Sequence, residues 1–374
     1  MRKAVFLITA MVLSLVFGSC QEKRDAVKIG IIMPLTGAAS EPGRNALQGA
    51  ELAFSLYNDT AKIKIKLITE DSKSNNKDGV SAINKLISTD KVKIVIGDLM
   101  SSVFLSCAPI AERNKVVMMS PGASNPIVRD AGEYIFRNYL SDDFDGKVMA
   151  NYIYSVMNKK KAVVYTVNND YGIGIHKAFV ENFIQLGGNI LLEERYEQGQ
   201  TDFRNSLIKV QNANPDIVFI AGHPAENGNM VKQMKEYNVR YPIVGNLSFE
   251  NEEFINIAKN SFDSIIFSTP YYNPESEEAH IAYFVKEYEK HYRSKPDIAA
   301  AISYDVANIL LKSLLAVNFD LDKVKDYIYT IAGYNGITGK TTFDKNGDVL
   351  KDIYIKQIYG DGQIKILEQY FIDK

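Results

Sequence analysis

From Ala26 onward the chain alternates short β-branched runs with amphipathic helical stretches. This alternation restricts the possible folds more than any other feature. The pattern predicts strands at 27–32, 63–68, 92–96 and 116–119, separated by helices at 44–58, 77–89 and 102–114. The helical stripes are explicit: Leu47, Ala50, Phe54 and Tyr57 fall on one face, and Val80, Ile83 and Ile87 on another. Strands alternating with helices in this way imply a parallel sheet covered on both faces. After Ser141-Asp142-Asp143 the cycle restarts, with helices at 145–157, 173–186, 203–212 and 225–237 between strands at 162–167, 189–193, 216–221, 243–245 and 264–269. Helices near 278–292, 298–316 and 322–332 and strands near 340–343, 353–359 and 364–371 complete the expected α/β architecture, two doubly wound parallel-sheet lobes.

A chain of 374 residues with 46% hydrophobic and 24% charged residues exceeds one typical core, consistent with two lobes. The formal charge of −2, with no basic stripe carrying interleaved aromatics, argues against a nucleic-acid partner. Arg2-Lys3 precede an apolar run from Ala4 to Phe17 that is short for a membrane span, and Gly18-Ser19-Cys20 follow it. This segment resembles a bacterial lipoprotein signal, with Phe17 where Leu is commonest. The expected processing is removal of residues 1–19, lipidation of Cys20, and a tether over 20–26, placing the protein outside the cytoplasm on a membrane. Cys107 is the second of two cysteines, so a lipidated Cys20 leaves no intrachain disulfide. Phe104, Cys107, Ala108 and Ala111 share a helical stripe, which predicts a core thiol.

Two strand ends carry the candidate chemistry. Gly97-Asp98-Leu99-Met100-Ser101-Ser102 and Ser120-Pro121-Gly122-Ala123-Ser124 each run into small and hydroxyl residues where the strand gives out. Free amides of a helix start, together with serine hydroxyls, can hold a carboxylate. The competing explanation is simple helix capping, worth about 1 kcal/mol per serine. Two such junctions side by side favour a ligand cradle, with Ser101, Ser102, Gly122, Ala123 and Ser124 as candidates.

Enzymatic readings fare poorly. Gly172-Ile173-Gly174 lacks the third glycine of a dinucleotide loop, and no phosphate-loop pattern occurs. Ser101 has no G-x-S-x-G elbow. Asp344, Asn346 and Asp348 open like a calcium loop, but Val349 and Ile355 stand where Gly and Glu are required, so a turn is expected. His176, His223, His280 and His291 show no metal-ligand spacing, and neither metal nor cofactor is expected.

Stretches spread along the chain carry a resemblance. They are Ile29-Gly30-Ile31-Ile32-Met33-Pro34-Leu35-Thr36-Gly37, Gly49-Ala50-Glu51-Leu52-Ala53, the Gly97 to Ser102 turn, Ser120 to Pro126, Asp170-Tyr171-Gly172-Ile173-Gly174, Gly187-Gly188, Thr201-Asp202-Phe203, Asn214 to Phe219 and Ser303-Tyr304-Asp305. The sequence resembles the leucine/isoleucine/valine-type solute-binding proteins of ABC importers, the type I periplasmic clamp. The resemblance implies a monomer with a three-segment hinge, here near 139–142, 270–273 and 338–342. It divides the chain into a first lobe of 27–140 and 272–339 and a second lobe of 141–271 and 340–374. It also implies a small-molecule ligand, no catalysis, and ABC permease subunits as partners. The alternative role for such a clamp is a ligand sensor. Because no apolar run of 18 or more residues follows Cys20, a sensor is expected to signal through a separate membrane protein.

Carried over by residue, the family's carboxylate site falls on Ser101, the Gly122 backbone and Ser124. Tyr171 matches the aromatic that the second lobe closes over the ligand. His223 stands where a Tyr is frequent, and Asn246 lies in the segment that commonly supplies an acid to the ligand ammonium. No acid stands there, so Glu226 or Glu250 replaces it, or the ligand is not an ordinary α-amino acid. Pro42 stands near a usual aromatic, which points to a different side-chain pocket. Ser124→Ala is expected to weaken a carboxylate ligand by about tenfold or more while the fold survives, since a hydrogen bond to a charged group contributes about 1.5–3 kcal/mol. Unchanged affinity in a titration would show that the cradle is misassigned.

Overall fold

The computed structural model describes residues 26–370, so the signal-like segment and Cys20 lie outside the described residues. In the first lobe, β1 (Ala26–Met33), α1 (Ser40–Thr60), β2 (Lys64–Asp71), α2 (Asn76–Ser88), β3 (Ile94–Gly97), α3 (Ser101–Arg113), β4 (Val117–Ser120) and β5 (Ile135–Arg137) form a five-stranded sheet ordered β2-β1-β3-β4-β5. Every pairing in it is parallel. The strands are continuous β-branched runs because both faces are covered: Ile29, Ile31, Ile94 and Ile96 pack on one side, Ile32, Val95 and Met118 on the other.

The second lobe repeats the scheme. Its elements are α4 (Asp142–Asn151), β6 (Lys161–Val167), α5 (Asp170–Gln185), β7 (Asn189–Tyr196), α6 (Arg204–Ala213), β8 (Ile217–Ala221), α7 (Pro224–Glu236), β9 (Ile243–Asn246), α8 (Glu252–Ala258) and β10 (Ser264–Pro270). The sheet order is β15-β14-β10-β9-β8-β6-β7, where β14 (Ile353–Tyr359) and β15 (Ile364–Tyr370) are antiparallel additions. Without that pair, the strands are ordered as in the first lobe. In both sheets the order reverses beside the first strand, between β1 and β3 and between β6 and β8. Crevices at such switch points, beyond the carboxyl ends of the strands, are where open parallel sheets bind ligands.

Between β10 and β14 the chain returns to the first lobe as α9 (Ala279–Tyr292), α10 (Ile298–Ala316), α11 (Val324–Ile328) and a small sheet of β11 (Tyr334–Gly336), β12 (Gly339–Phe343) and β13 (Val349–Leu350). By length and composition α10 could cross a membrane, but most of it is buried in the protein against β1 and α1. The two helices touch backbone to backbone at Gly49, where a Cβ would stand 2.0 Å from the Ala300 carbonyl oxygen.

Three expectations need correction. The segment 340–350 was expected in the second lobe, but Phe343 and Val349 join the first lobe's core, so the third crossing lies at 351–352, not 338–342. The helix expected over 322–332 is a 3-10 turn at Leu321–Lys323 followed by α11, which ends four residues early. There the Thr330 hydroxyl donates to the Tyr327 carbonyl and Gly333 turns left-handed at φ 65°. The strand β5 and the helix α8 were missed: one is three residues long, and the other is a seven-residue helix capped by the Asn251 side chain. Cys107 is fully buried, as its stripe predicts, and burial pushes its thiol pKa up.

Replacing Gly49 with Val forces α1 off α10 and is expected to destabilise by about 1–3 kcal/mol, read as a lower urea midpoint. An unchanged midpoint would contradict the close approach.

Candidate functional site

The two first-lobe strand ends are tied to each other before any ligand is considered. The Ser120 hydroxyl donates to the Asp98 carbonyl at 2.6 Å and accepts the N–H groups of Gly122 at 3.0 Å and Ala123 at 2.7 Å. The backbone donors expected at Gly122 and Ala123 are therefore already engaged, which corrects the reading of them as free cradle amides. Ala123 is fully buried, while Gly122 contributes only a wall of the cleft.

Ser101 behaves differently. Its oxygen accepts the N–H groups of Ser124 at 3.1 Å and Asn125 at 3.2 Å. A hydroxyl has two acceptor positions and one hydrogen, so the Ser101 O–H is left to donate. Ser102 is turned away, its oxygen accepting the Asp170 N–H from the other lobe at 3.1 Å. It is a closure contact and not a cradle donor, as is Asn125, whose amide donates to the Asp170 carbonyl. Gln198 donating to the Ser74 carbonyl at 3.2 Å, and Asn251 donating to Glu41, also join the lobes. The clamp is shut.

Between the lobes lies a cavity of about 160 Å³. Ser101 and Ser124 face it from the first lobe; Tyr171, His223 and Asn246 face it from the second. Tyr171 opens α5 and His223 precedes α7, the loops that follow β6 and β8 at the switch point. The Asn246 amide donates to the Tyr171 oxygen, leaving the phenol hydrogen for another acceptor. Burial, with Asp142 nearby, pushes the Tyr171 pKa up, so the phenol remains a donor. The His223 ring lies 6.0 Å from the Tyr171 ring between centroids, and burial lowers its pKa against the opposing pull of Glu226. It is neutral at pH 7. Leu99, Leu247, Ile298 and Ile302 supply an apolar wall, with Pro42 beside them.

Neither expected ammonium partner is available. Glu226 lies outside the cavity wall, with Oε1 accepting the Gly199 N–H at 2.7 Å and Oε2 buried without a partner, so its open oxygen does not line the cavity. Glu250 does reach the wall, but both its oxygens accept from Lys356, at 2.8 and 2.9 Å. On the cavity wall itself, Asp142 and Asp145 are 1% and 6% exposed and leave Asp142 Oδ2 and Asp145 Oδ1 buried without a hydrogen-bond partner. Burial pushes Asp142 well above the usual carboxylate range, with Asp145 adding to the rise, and carries Asp145 up to about 6. In the sequence, Ser141-Asp142-Asp143 marks only the start of the second cycle; the signal for the acids is their i, i+3 spacing, which puts Asp142 and Asp145 on one face of α4.

A sequence profile of the periplasmic binding protein family matches residues 26–363, and the chain belongs to that family. It is 26% identical over 380 residues to a Leu/Ile/Val-binding protein homolog of Brucella abortus, spanning 99% of this chain and 100% of that one. With the leucine-specific-binding protein of Salmonella typhimurium it shares 26% over 332 residues, 87% of this chain and 88% of the relative. The leucine-binding protein LivK of Thermotoga maritima superposes with a TM-score of 0.87 at 28% identity, over 92% and 99% of the two chains. LivJ of Streptococcus pneumoniae, solved with isoleucine, gives 0.85 at 27%, over 93% and 99%. The fold is that of a type I periplasmic binding protein, and the chain is a solute-binding protein and not an enzyme.

Glu250→Gln leaves Lys356 buried without its counter-charge, and a loss of about 3–5 kcal/mol of stability is expected in urea unfolding. A variant as stable as the parent would return Glu250 to the list of free ligand groups.

Proposed function

We propose that this protein captures an α-amino acid with an apolar, branched side chain and presents it, lobes closed, to the permease of an ABC importer. One observation carries the reading: one cavity between the lobes is lined by Ser101, whose hydroxyl hydrogen is free, and by a buried Asp142 carboxylate whose Oδ2 has no hydrogen-bond partner. A hydroxyl donor suits a carboxylate and an unpaired acid oxygen suits an ammonium group, so the two together suit a zwitterion. A buried ammonium without a partner would cost several kcal/mol; Asp142 on the cavity wall suits that need, whereas Glu226 does not line the cavity and Glu250 is taken by Lys356. The Tyr171 phenol, with His223 and Asn246, is the half of the site that arrives from the second lobe. The apolar wall of Leu99, Leu247, Ile298 and Ile302 takes the side chain. LivJ with isoleucine and LivK, named for leucine, support the branched-chain class.

Closure follows from the chemistry. Contacts from the second lobe exist only in the shut form, and that difference in affinity shifts the hinge equilibrium. The same reading places the protein outside the cytoplasm, anchored by lipid on Cys20.

A thermal-shift series tests the ligand class, because a molecule that binds only the folded form raises the midpoint. L-leucine and L-isoleucine are expected to raise it by several degrees, and 4-methylpentanoate, which lacks the ammonium group, by much less. No shift with either amino acid would refute the amino-acid reading.

A further inference from the structure

We propose that Asp142 and Asp145 form one two-carboxylate subsite for the ligand's ammonium group, holding a single negative charge between them, so that capture of an amino acid is linked to protons. The inference rests on the amino-acid reading above and specifies how that site is regulated. Both residues lie in the first turn of α4 and line the same cavity, and each has one buried oxygen with no partner, that of Asp142 lying beside Gly174 of α5. A lone unpaired carboxylate can be a packing defect; two on one wall of a ligand-sized cavity are a receptor for something carrying N–H donors and positive charge.

The surroundings decide how much charge the pair can hold. From β5, the Arg137 guanidinium favours the ionised form of Asp142, but it is itself taken by Asp348 at 2.5 and 2.8 Å. On α4, Asp143 opposes ionisation of Asp142 and is half exposed beside Arg129. Tyr139 and Tyr171 face the pair from the first crossing and from α5, and burial keeps both phenols neutral. Across the cavity, Glu250 is neutralised by Lys356, and His223 carries no charge. The Ser124 and Ser268 hydroxyls hydrogen-bond to Asp142 and Asp145 respectively and favour their ionised forms without adding charge.

No free cation therefore compensates two negative charges here, and the pair titrates in two separated steps. Near neutral pH it holds one proton, and the remaining charge meets the ligand's ammonium. Below the lower step, which falls at about 6, both acids are protonated. An ammonium ligand must then expel a proton before it can pair. The sign follows: affinity is full above that step and declines as pH falls through it, by about tenfold per pH unit well below it. A ligand with a carboxylate and no ammonium loses nothing on this limb.

The test is calorimetric titration of the folded chain with L-leucine and with 4-methylpentanoate between about pH 4.5 and 7.5, repeated in two buffers of different ionisation enthalpy. L-leucine is expected to bind more weakly on the acid side with roughly one proton released, and 4-methylpentanoate to show no such acid-side loss. Asp145→Asn is expected to remove the step near pH 6, and Asp143→Asn, altering the half-exposed neighbour, to keep it. Leucine affinity that stays flat over this range, or a step that survives in Asp145→Asn, would overturn the shared-proton subsite and leave the amino-acid reading standing. Absence of leucine binding at every pH would overturn both.

Discussion

A fully buried arginine organises the ligand end of the first lobe. Arg137, the last residue of β5, makes a two-pronged ion pair with Asp348 and donates through Nη1 to the carbonyls of Ala123, Ser124 and Asn125, at 3.3, 2.8 and 2.9 Å. A planar guanidinium suits this arrangement because its donors are fixed in one plane. With the carbonyls of 123–125 drawn inward, the N–H groups of Ser124 and Asn125 point at the Ser101 oxygen, which in turn leaves the Ser101 hydrogen to the cavity. Asp348 belongs to the tight turn after β12, where the Asp344 carboxylate accepts the N–H groups of Asn346 and Asp348. The would-be calcium loop is thus a bracket that holds the counter-ion of Arg137.

The same site shows why duplicated architecture serves a clamp. Each lobe contributes the loops at its own switch point, so Ser101 and Ser124 come with one sheet and Tyr171 and His223 with the other. Neither half encloses the ligand. The lobes are joined by hydrogen bonds of Ser102, Asn125, Gln198 and Asn251, and the cavity lies between them. The acids of α4 sit just after the first crossing, on the wall of the cavity between the lobes.

How much of this was legible in the sequence depended on the range of the interaction. Strand and helix periodicity is local, and it placed β1 to β4, β6, β8 and α10 with close bounds. The strand ends pointed to the correct crevice because small residues and hydroxyls after a β-branched run carry a local signature. What failed was nonlocal. Gly122 and Ala123 looked like free donors because nothing in the sequence says that Ser120, a few positions earlier, consumes them. Glu250 looked like an available acid because Lys356 lies 106 residues away, and Arg137 drew no attention because Asp348 is 211 residues distant. Asp142 and Asp145 were passed over as a polar seam; only folding reveals that they are buried and unpaired.

The central claim is that the cavity holds a zwitterion with its carboxylate on the Ser101 hydroxyl and its ammonium on α4. A crystal structure of the chain grown with L-leucine tests it most directly. The account predicts a carboxylate oxygen within about 3.2 Å of the Ser101 hydroxyl and the ammonium nitrogen in similar contact with Asp142. A leucine bound in the reverse sense, or an ammonium paired with Glu226 or Glu250 in place of Asp142, would contradict it.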